Sequence, residues 1–414
     1  MPTTEADIIA RRRATLGPTY KLFFDEPLHI VSAKGVWMRG ADGRDYLDVY
    51  NNVPVVGHCH PHVVETLYKQ ASTLNTHTRY LTDPPVQLAE RLLATMPPEV
   101  DNVVFVCSGS EANELAIRVC KFATGGTGVI VTEAAYHGTT EMLAGMSPAS
   151  GIPLGRHVYT VPAPSRSKDA PDFAAGVRDA IARMRADGVK PAALLVDTFF
   201  SSDGSFPDPA GFLAAAAEEI RKAGGLFIAD EVQPGFGRTG DGMWGFARHG
   251  IVPDCVTMGK PMGNGHPIAA MAARGDLMAR FARQAGYFNT FGGNTVSCAV
   301  GMAVLDVIEK EGLIANARTV GEHMRKGLEE LATKHKAMAA VRGRGLYCAV
   351  DIRDGSSEQS RASANTVVNG LKQEGVLIGA TGPNKDVLKI RPPLPFTTEN
   401  STFFLKALDK VLSR

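Results

Sequence analysis

The chain has 414 residues and a formal net charge of +1, from 44 lysines and arginines against 43 aspartates and glutamates. That balance leaves no basic footprint for a nucleic acid, and no uninterrupted apolar run reaches the roughly 20 residues that span a bilayer. Hydrophobic residues are 44% and charged residues 21% of the chain, an ordinary globular composition, and at about 100–200 residues per domain the length fits two or three domains or one large α/β unit.

The N-terminal region carries Arg11, Arg12 and Arg13, but Glu5 and Asp7 precede them and no apolar segment follows. A secretory leader is therefore not expected. The six cysteines are scattered and lie mostly in apolar stretches, as reduced, buried thiols do in a cytoplasmic protein. A cytoplasmic location is the expectation.

In chain order, residues 30–50 read as a small antiparallel unit, with the turn Ala41-Asp42-Gly43-Arg44-Asp45 between two strand-like runs. Short apolar runs follow at Val103–Cys107, Val129–Thr132, Ala193–Val196, Leu226–Ala229 and Cys255–Met258. Helical periodicity lies between several of them, as in Glu111–Phe122 and Ala210–Lys222. This alternation predicts an α/β fold with a mostly parallel central sheet flanked by helices. Beyond about residue 310, two long helical patterns surround Gly345–Ile352, and short strands follow at Val376–Gly379 and Val387–Ile390. We expect an N-terminal arm over 1–50, a large domain over 51–310 and a C-terminal segment over 311–414. The arm and the C-terminal segment together form a smaller α+β domain.

Three segments carry candidate chemistry. In Cys107-Ser108-Gly109-Ser110-Glu111 a strand ends and a helix opens. Free N–H groups at such a helix start can hold a phosphate, although the same residues also read as an ordinary serine-capped helix. The run Leu226–Ala229 ends on Asp230 and Glu231, which places a carboxylate at the crevice where α/β sheets bind ligands. A structural ion pair or loop cap is the alternative. The formal glycine pattern Gly235-Phe236-Gly237-Arg238-Thr239-Gly240 is no dinucleotide fingerprint, because no helix pattern opens there. Lys260 follows an apolar strand and sits among Gly259, Gly263 and Gly265. A lysine so placed can have its pKa lowered for amine chemistry, or it can be a loop lysine among mobile glycines. A phosphate cup, a strand-end carboxylate and a buried lysine together suit a phosphorylated pyridine aldehyde.

The ordered motifs SGSEAN, AYHG, ADEVQPGFGRTG, GKPMGNGHP and FNTFGGN resemble the class III aminotransferase family of fold-type I pyridoxal 5′-phosphate (PLP) enzymes, over nearly the whole chain. The resemblance implies PLP as cofactor, with Lys260 as its Schiff-base lysine and Asp230 as partner of the pyridine nitrogen. Gly109 and Ser110 would bind the cofactor phosphate, Tyr136 would stack on the ring, and Val232 would pack on its other face. His137 joins the cofactor set, and Gln233 would lie near the ring hydroxyl. Thr290 would reach the phosphate in a neighbouring subunit, which implies a homodimer with its sites at the interface.

The reaction depends on the substrate side. Segments 17–24, 51–53, 75–81, 259–267 and 382–390 resemble the ethanolamine-phosphate phospho-lyase branch of the family. The expected substrate is thus a small phosphorylated amine, with phosphate eliminated from O-phosphoethanolamine; transfer of an amino group to pyruvate, glyoxylate or 2-oxoglutarate is the alternative. A phosphomonoester carries about −1.5 to −2 charges at neutral pH and calls for charged donors. Arg79 and Lys21 are the candidates, with Tyr50 beside them. Arg391 resembles the carboxylate-binding arginine of many family members, so it either holds the substrate phosphate or marks an amino-acid substrate. Where the family usually has Glu-x-x-Gln, this chain has Asp197-Thr198-Phe199-Phe200; the shorter acid and the lost amide argue against gating of an arginine by that acid, and the phenylalanines point to a tighter, more apolar cofactor surround. His58-Cys59-His60-Pro61-His62 does not match a common zinc spacing, and no metal is expected.

Overall fold

The computed structural model describes residues 5–164 and 172–414. Its largest sheet has seven strands, in the spatial order Asn102–Val106, Ala269–Ala273, Cys255–Met258, Leu226–Asp230, Pro191–Asp197, Gly128–Thr132 and Val158–Val161. The last five are mutually parallel, and only Ala269–Ala273 runs antiparallel to both its neighbours. Every residue of Gly128–Thr132, Cys255–Met258 and Ala269–Ala273 is buried, as expected where both faces are covered. Successive side chains serve opposite cores. Val129 and Val131 join the cluster that contains Leu115 and Val119 of the Gly109–Thr124 helix, while Ile130 between them joins the cluster on the other face.

Some elements differ from the sequence reading. Ala269–Ala273 is a central strand although alanine is a poor strand former; ladders on both sides fix it there. The helix expected from Ala210 begins at Phe212, because Gly211 takes a left-handed backbone (φ 87°) at its start.

Two four-stranded sheets flank the large one. The first joins Ile30–Lys34, Trp37–Gly40 and Asp45–Asp48, folded around the predicted turn, to Val376–Leu377 from the far end of the chain. Val376 pairs in parallel with Leu47. The second is antiparallel, in the order Met338–Arg344, Tyr347–Ile352, Val387–Ile390, Gly379–Thr381. N- and C-terminal segments thus build a smaller α+β unit beside the large α/β one. Among the described residues no helix is long and apolar enough to cross a membrane.

Within the smaller unit, backbones run very close. A Cβ on Gly321, inside the Leu313–Lys334 helix, would lie 2.1 Å from the Gly345 carbonyl oxygen. Alanine is a better helix former than glycine by about 1 kcal/mol, but overpacking costs about 1–3 kcal/mol. Gly321→Ala should therefore lower the thermal midpoint by several degrees; a rise would contradict this packing.

Candidate active site

The carboxyl ends of the parallel strands open onto one crevice, the usual ligand position in such sheets. Asp230 ends its strand there, 4% exposed. Its Oδ2 accepts hydrogen bonds from His137 Nδ1 at 2.7 Å and Asn113 Nδ2 at 2.9 Å, and its Oδ1 accepts from the Val232 N–H at 3.1 Å. Burial alone would raise the carboxyl pKa. The hydrogen bonds from His137, Asn113 and Val232 outweigh it, and the pKa is lowered.

Asn113 is fixed by its own partners. Thr257 Oγ1 donates to its Oδ1 at 2.6 Å, and its Nδ2 also donates to the His137 carbonyl at 2.8 Å. The amide must therefore turn its NH₂ toward Asp230. Although SGSEAN contains Asn113, motif reading assigned it no role; only the fold brings Thr257 and His137 to it.

Lys260 follows the Cys255–Met258 strand in a left-handed backbone conformation (φ 31°), a cost of about 1–3 kcal/mol for a residue with a side chain. Its side chain is exposed to solvent at the cleft, where the sequence reading expected a buried lysine. Desolvation by the surrounding cleft and then the Arg391 charge lower its amine pKa, against the pull of Asp230 and Asp197.

A small cleft of about 100 Å³ joins Lys260 and Asp230 to Gly109, Ser110, Tyr136, His137, Val232 and Gln233. Gly109 and Ser110 open their helix, where N–H groups find no helical acceptor. Ser108 and Glu111 form a capping box behind them. Ser110 Oγ accepts from the Thr139 N–H at 3.1 Å, which leaves its hydroxyl proton to donate. A Cβ on Gly109 would come within 2.9 Å of Val232 Cγ1, so only glycine keeps this wall open. The donor set, the buried anion and the low-pKa lysine fit a phosphorylated pyridine aldehyde.

Cations collect on the other side of Gln233. Its Oε1 accepts from Lys389 Nζ at 3.2 Å and from Arg391 Nη1. Lys389 also donates to the Ser201 carbonyl, and Arg391 Nε donates to the Tyr50 carbonyl, both at 3.2 Å. The Arg391 guanidinium lies 4.9 Å from the Tyr50 ring centroid. Lys389 and Arg391 are 6% and 5% exposed, yet among the described residues neither has a carboxylate within ion-pair distance. Burial, then Arg391, pushes the Lys389 pKa well down.

Other predicted residues lie elsewhere. Arg79 is exposed and packs 4.1 Å from the Phe288 ring centroid. Lys21 is also exposed. Thr290 lines a separate surface cavity with His77 and Phe291. The phenylalanines after Asp197 do not line the cleft, contrary to the sequence reading. Phe199 stacks on Tyr347 at 4.2 Å, and Phe200, with φ 54°, turns into a cluster with Phe173 and Phe212. Glu231 holds the following loop by accepting from Thr198 Oγ1 and the Gly245 and Phe246 N–H groups. His58, His60 and His62 are each engaged by a carboxylate, of Asp48, Glu311 and Asp306 respectively.

The lowered pKa of Asp230 contributes stability that is present above the ordinary carboxylate value, about 3.9, and is lost as pH falls through the folded value. Asn113→Leu should reduce the unfolding free energy by about 1.5–3 kcal/mol near pH 7. The difference should shrink as pH drops below about 4. Denaturant titrations showing an equal loss at both pH values would contradict donation to an ionised Asp230.

The model of the family described as "Aminotransferase class-III" matches residues 24–412. An alanine–glyoxylate aminotransferase 2-like protein of Drosophila melanogaster is 36% identical, over 99% of this chain and 87% of its own. An ethanolamine-phosphate phospho-lyase homologue of Caenorhabditis elegans is 34% identical, over 99% and 94%. The solved structure of an Arthrobacter phospholyase in complex with phosphoethanolamine superposes with a TM-score of 0.94 at 43% identity, covering 98% of this chain and 99% of that one. With its crevice built for the same cofactor, the chain belongs to the class III aminotransferase family and takes pyridoxal 5′-phosphate as its cofactor.

Proposed function

We propose that this enzyme is a phospho-lyase that eliminates phosphate from O-phosphoethanolamine, giving acetaldehyde, ammonia and phosphate. The observation that carries the reading is the buried pair Lys389 and Arg391 beside the cleft. Among the described residues neither forms an ion pair; the Asp197 charge acts on Lys389 from beyond ion-pair distance, so a substrate dianion would meet the unpaired Arg391 guanidinium. The likeness to the Arthrobacter phospholyase points the same way.

When bound, PLP supplies a ring that accepts the electron pair left on the carbon next to the substrate nitrogen. Gly109 and Ser110 would hold the cofactor phosphate at the helix start. Tyr136 and Val232 would flank the ring, Gln233 would lie near its hydroxyl, and His137 supports Asp230. Asp230, kept ionised by its three donors, would favour a protonated ring nitrogen. Lys260, freed by the substrate amine, takes the proton from the carbon that bears nitrogen. The neighbouring C–O bond then breaks, and phosphate leaves with the bonding electrons. Arg391 binds that phosphate through its fork, with Tyr50 beneath it. Water converts the released enamine to acetaldehyde and ammonia.

The reading includes a homodimer. Arg79 and Thr290 stand apart from their own cleft, among the exposed aromatics Tyr80, Phe288 and Phe291. A second copy would cover these rings and bring both residues toward its own cleft. The aminotransferase reading draws on the Drosophila relative.

Inorganic phosphate measured with O-phosphoethanolamine and no keto acid separates the two readings. Sustained release over many turnovers is expected. No release, together with conversion of the cofactor to its amine form by L-alanine, would establish the aminotransferase instead. Lys260→Ala should abolish turnover; sustained turnover in that variant would remove Lys260 from the proton transfer.

A further inference from the structure

Gln233 lines the cleft with Lys260 and Asp230. Its amide oxygen is held away from them by two donors. Lys389 Nζ and the Arg391 guanidinium donate to the same atom, Gln233 Oε1. The side-chain NH₂ is thereby left to face the cleft as a donor. Gln233 is 8% exposed, so an oxygen that lost both partners would be nearly without water.

These two donors have different freedom. Lys389 is anchored at the Ser201 carbonyl and lies 5.9 Å from the Tyr347 ring centroid. Arg391 is anchored through Nε at the Tyr50 carbonyl, which leaves the rest of its fork able to turn to an anion. An anion that recruits Arg391 takes one of the two hydrogen bonds from Gln233 Oε1. With Lys389 in place the oxygen keeps a partner, and without it the oxygen is orphaned. An orphaned buried acceptor carries a desolvation penalty, which would appear as weaker anion binding.

We propose that Lys389 is a positioning residue: it holds the Gln233 amide with its NH₂ toward the cleft, so that Arg391 can release Gln233 and bind the anionic group of the substrate. The proposal rests on the reading that Arg391 takes that group. It deepens the reading by assigning the anion subsite a lysine that acts through a glutamine.

The test is a double-mutant cycle on the holoenzyme at matched PLP occupancy, with inorganic phosphate as the probe and calorimetry as the readout. Lys389→Met should weaken phosphate binding roughly tenfold in the wild-type background, the order expected for one orphaned acceptor. In a Gln233→Met background no acceptor remains to be orphaned, and the same substitution should change affinity by less than about twofold. Arg391→Met should weaken binding in both backgrounds. Equal losses from Lys389→Met in the two backgrounds would show that the lysine acts by charge alone and would overturn the proposal. So would no loss in either, no phosphate binding by the wild type, or binding indifferent to Arg391→Met. If Lys389→Met fails to fold, Gln233→Glu serves in its place. A carboxylate there would pair with both cations and compete with phosphate, so affinity should fall at least about tenfold; unchanged affinity would overturn the proposal. Phosphate release from O-phosphoethanolamine tests the reaction separately, since an enzyme that fails that assay can still show the coupling.

Discussion

A carboxylate buried at the end of a parallel strand must draw donors from its surroundings, and Asp230 draws them from three directions. His137 comes from the loop after Gly128–Thr132, Asn113 from the Gly109–Thr124 helix, and the Val232 N–H from its own turn. Asn113 is in turn held by Thr257, three residues before Lys260. Each of these segments also presents a cleft residue: Tyr136 beside His137, Ser110 three residues before Asn113, and Lys260 after Thr257. Satisfying one anion therefore positions the phosphate cup, the aromatic wall and the reactive lysine together.

Charge is arranged in opposite senses on the two sides of Gln233. Toward the sheet, Asp230 is kept ionised by donors. Toward the small domain, Lys389 and Arg391 are buried with no carboxylate in ion-pair distance among the described residues, Asp197 acting on Lys389 from farther off, at strand positions two residues apart and hence on one face of Val387–Ile390 and its extension. Buried charge without a partner is costly. Its retention beside a cleft is intelligible when an anion is the ligand, and Gln233 bridges the two sides through one oxygen. The Tyr50 ring and carbonyl, brought in by the N-terminal sheet, complete the support of Arg391. The pairing of Val376 with Leu47 joins the N-terminal sheet to the C-terminal segment.

The cofactor half of this arrangement was legible in sequence because each part is local. A strand-helix turn with Gly109 and Ser110, a strand ending on Asp230 and a glycine-flanked Lys260 all announce themselves within a few residues. The alternating apolar runs likewise mark the parallel strands. The second half was not legible, because it depends on contacts between distant segments. Lys389 meets Gln233 across 156 positions and Asn113 meets Thr257 across 144. Phe199 and Phe200 have the composition of a cleft wall, yet a left-handed turn sends Phe200 into the core. Ala269–Ala273 lacks the branched residues that signal a strand and owes its place to ladders on both sides.

In this mechanism the substrate would lie with its amine toward Lys260 and its anionic end on Arg391. A crystal structure of the holoenzyme with 2-aminoethylphosphonate, whose C–P bond blocks loss of phosphate, tests this most directly. Phosphonate oxygens are expected within hydrogen-bond distance of the Arg391 guanidinium. A phosphonate bound away from Arg391, at Lys21 or Arg79 instead, would contradict it.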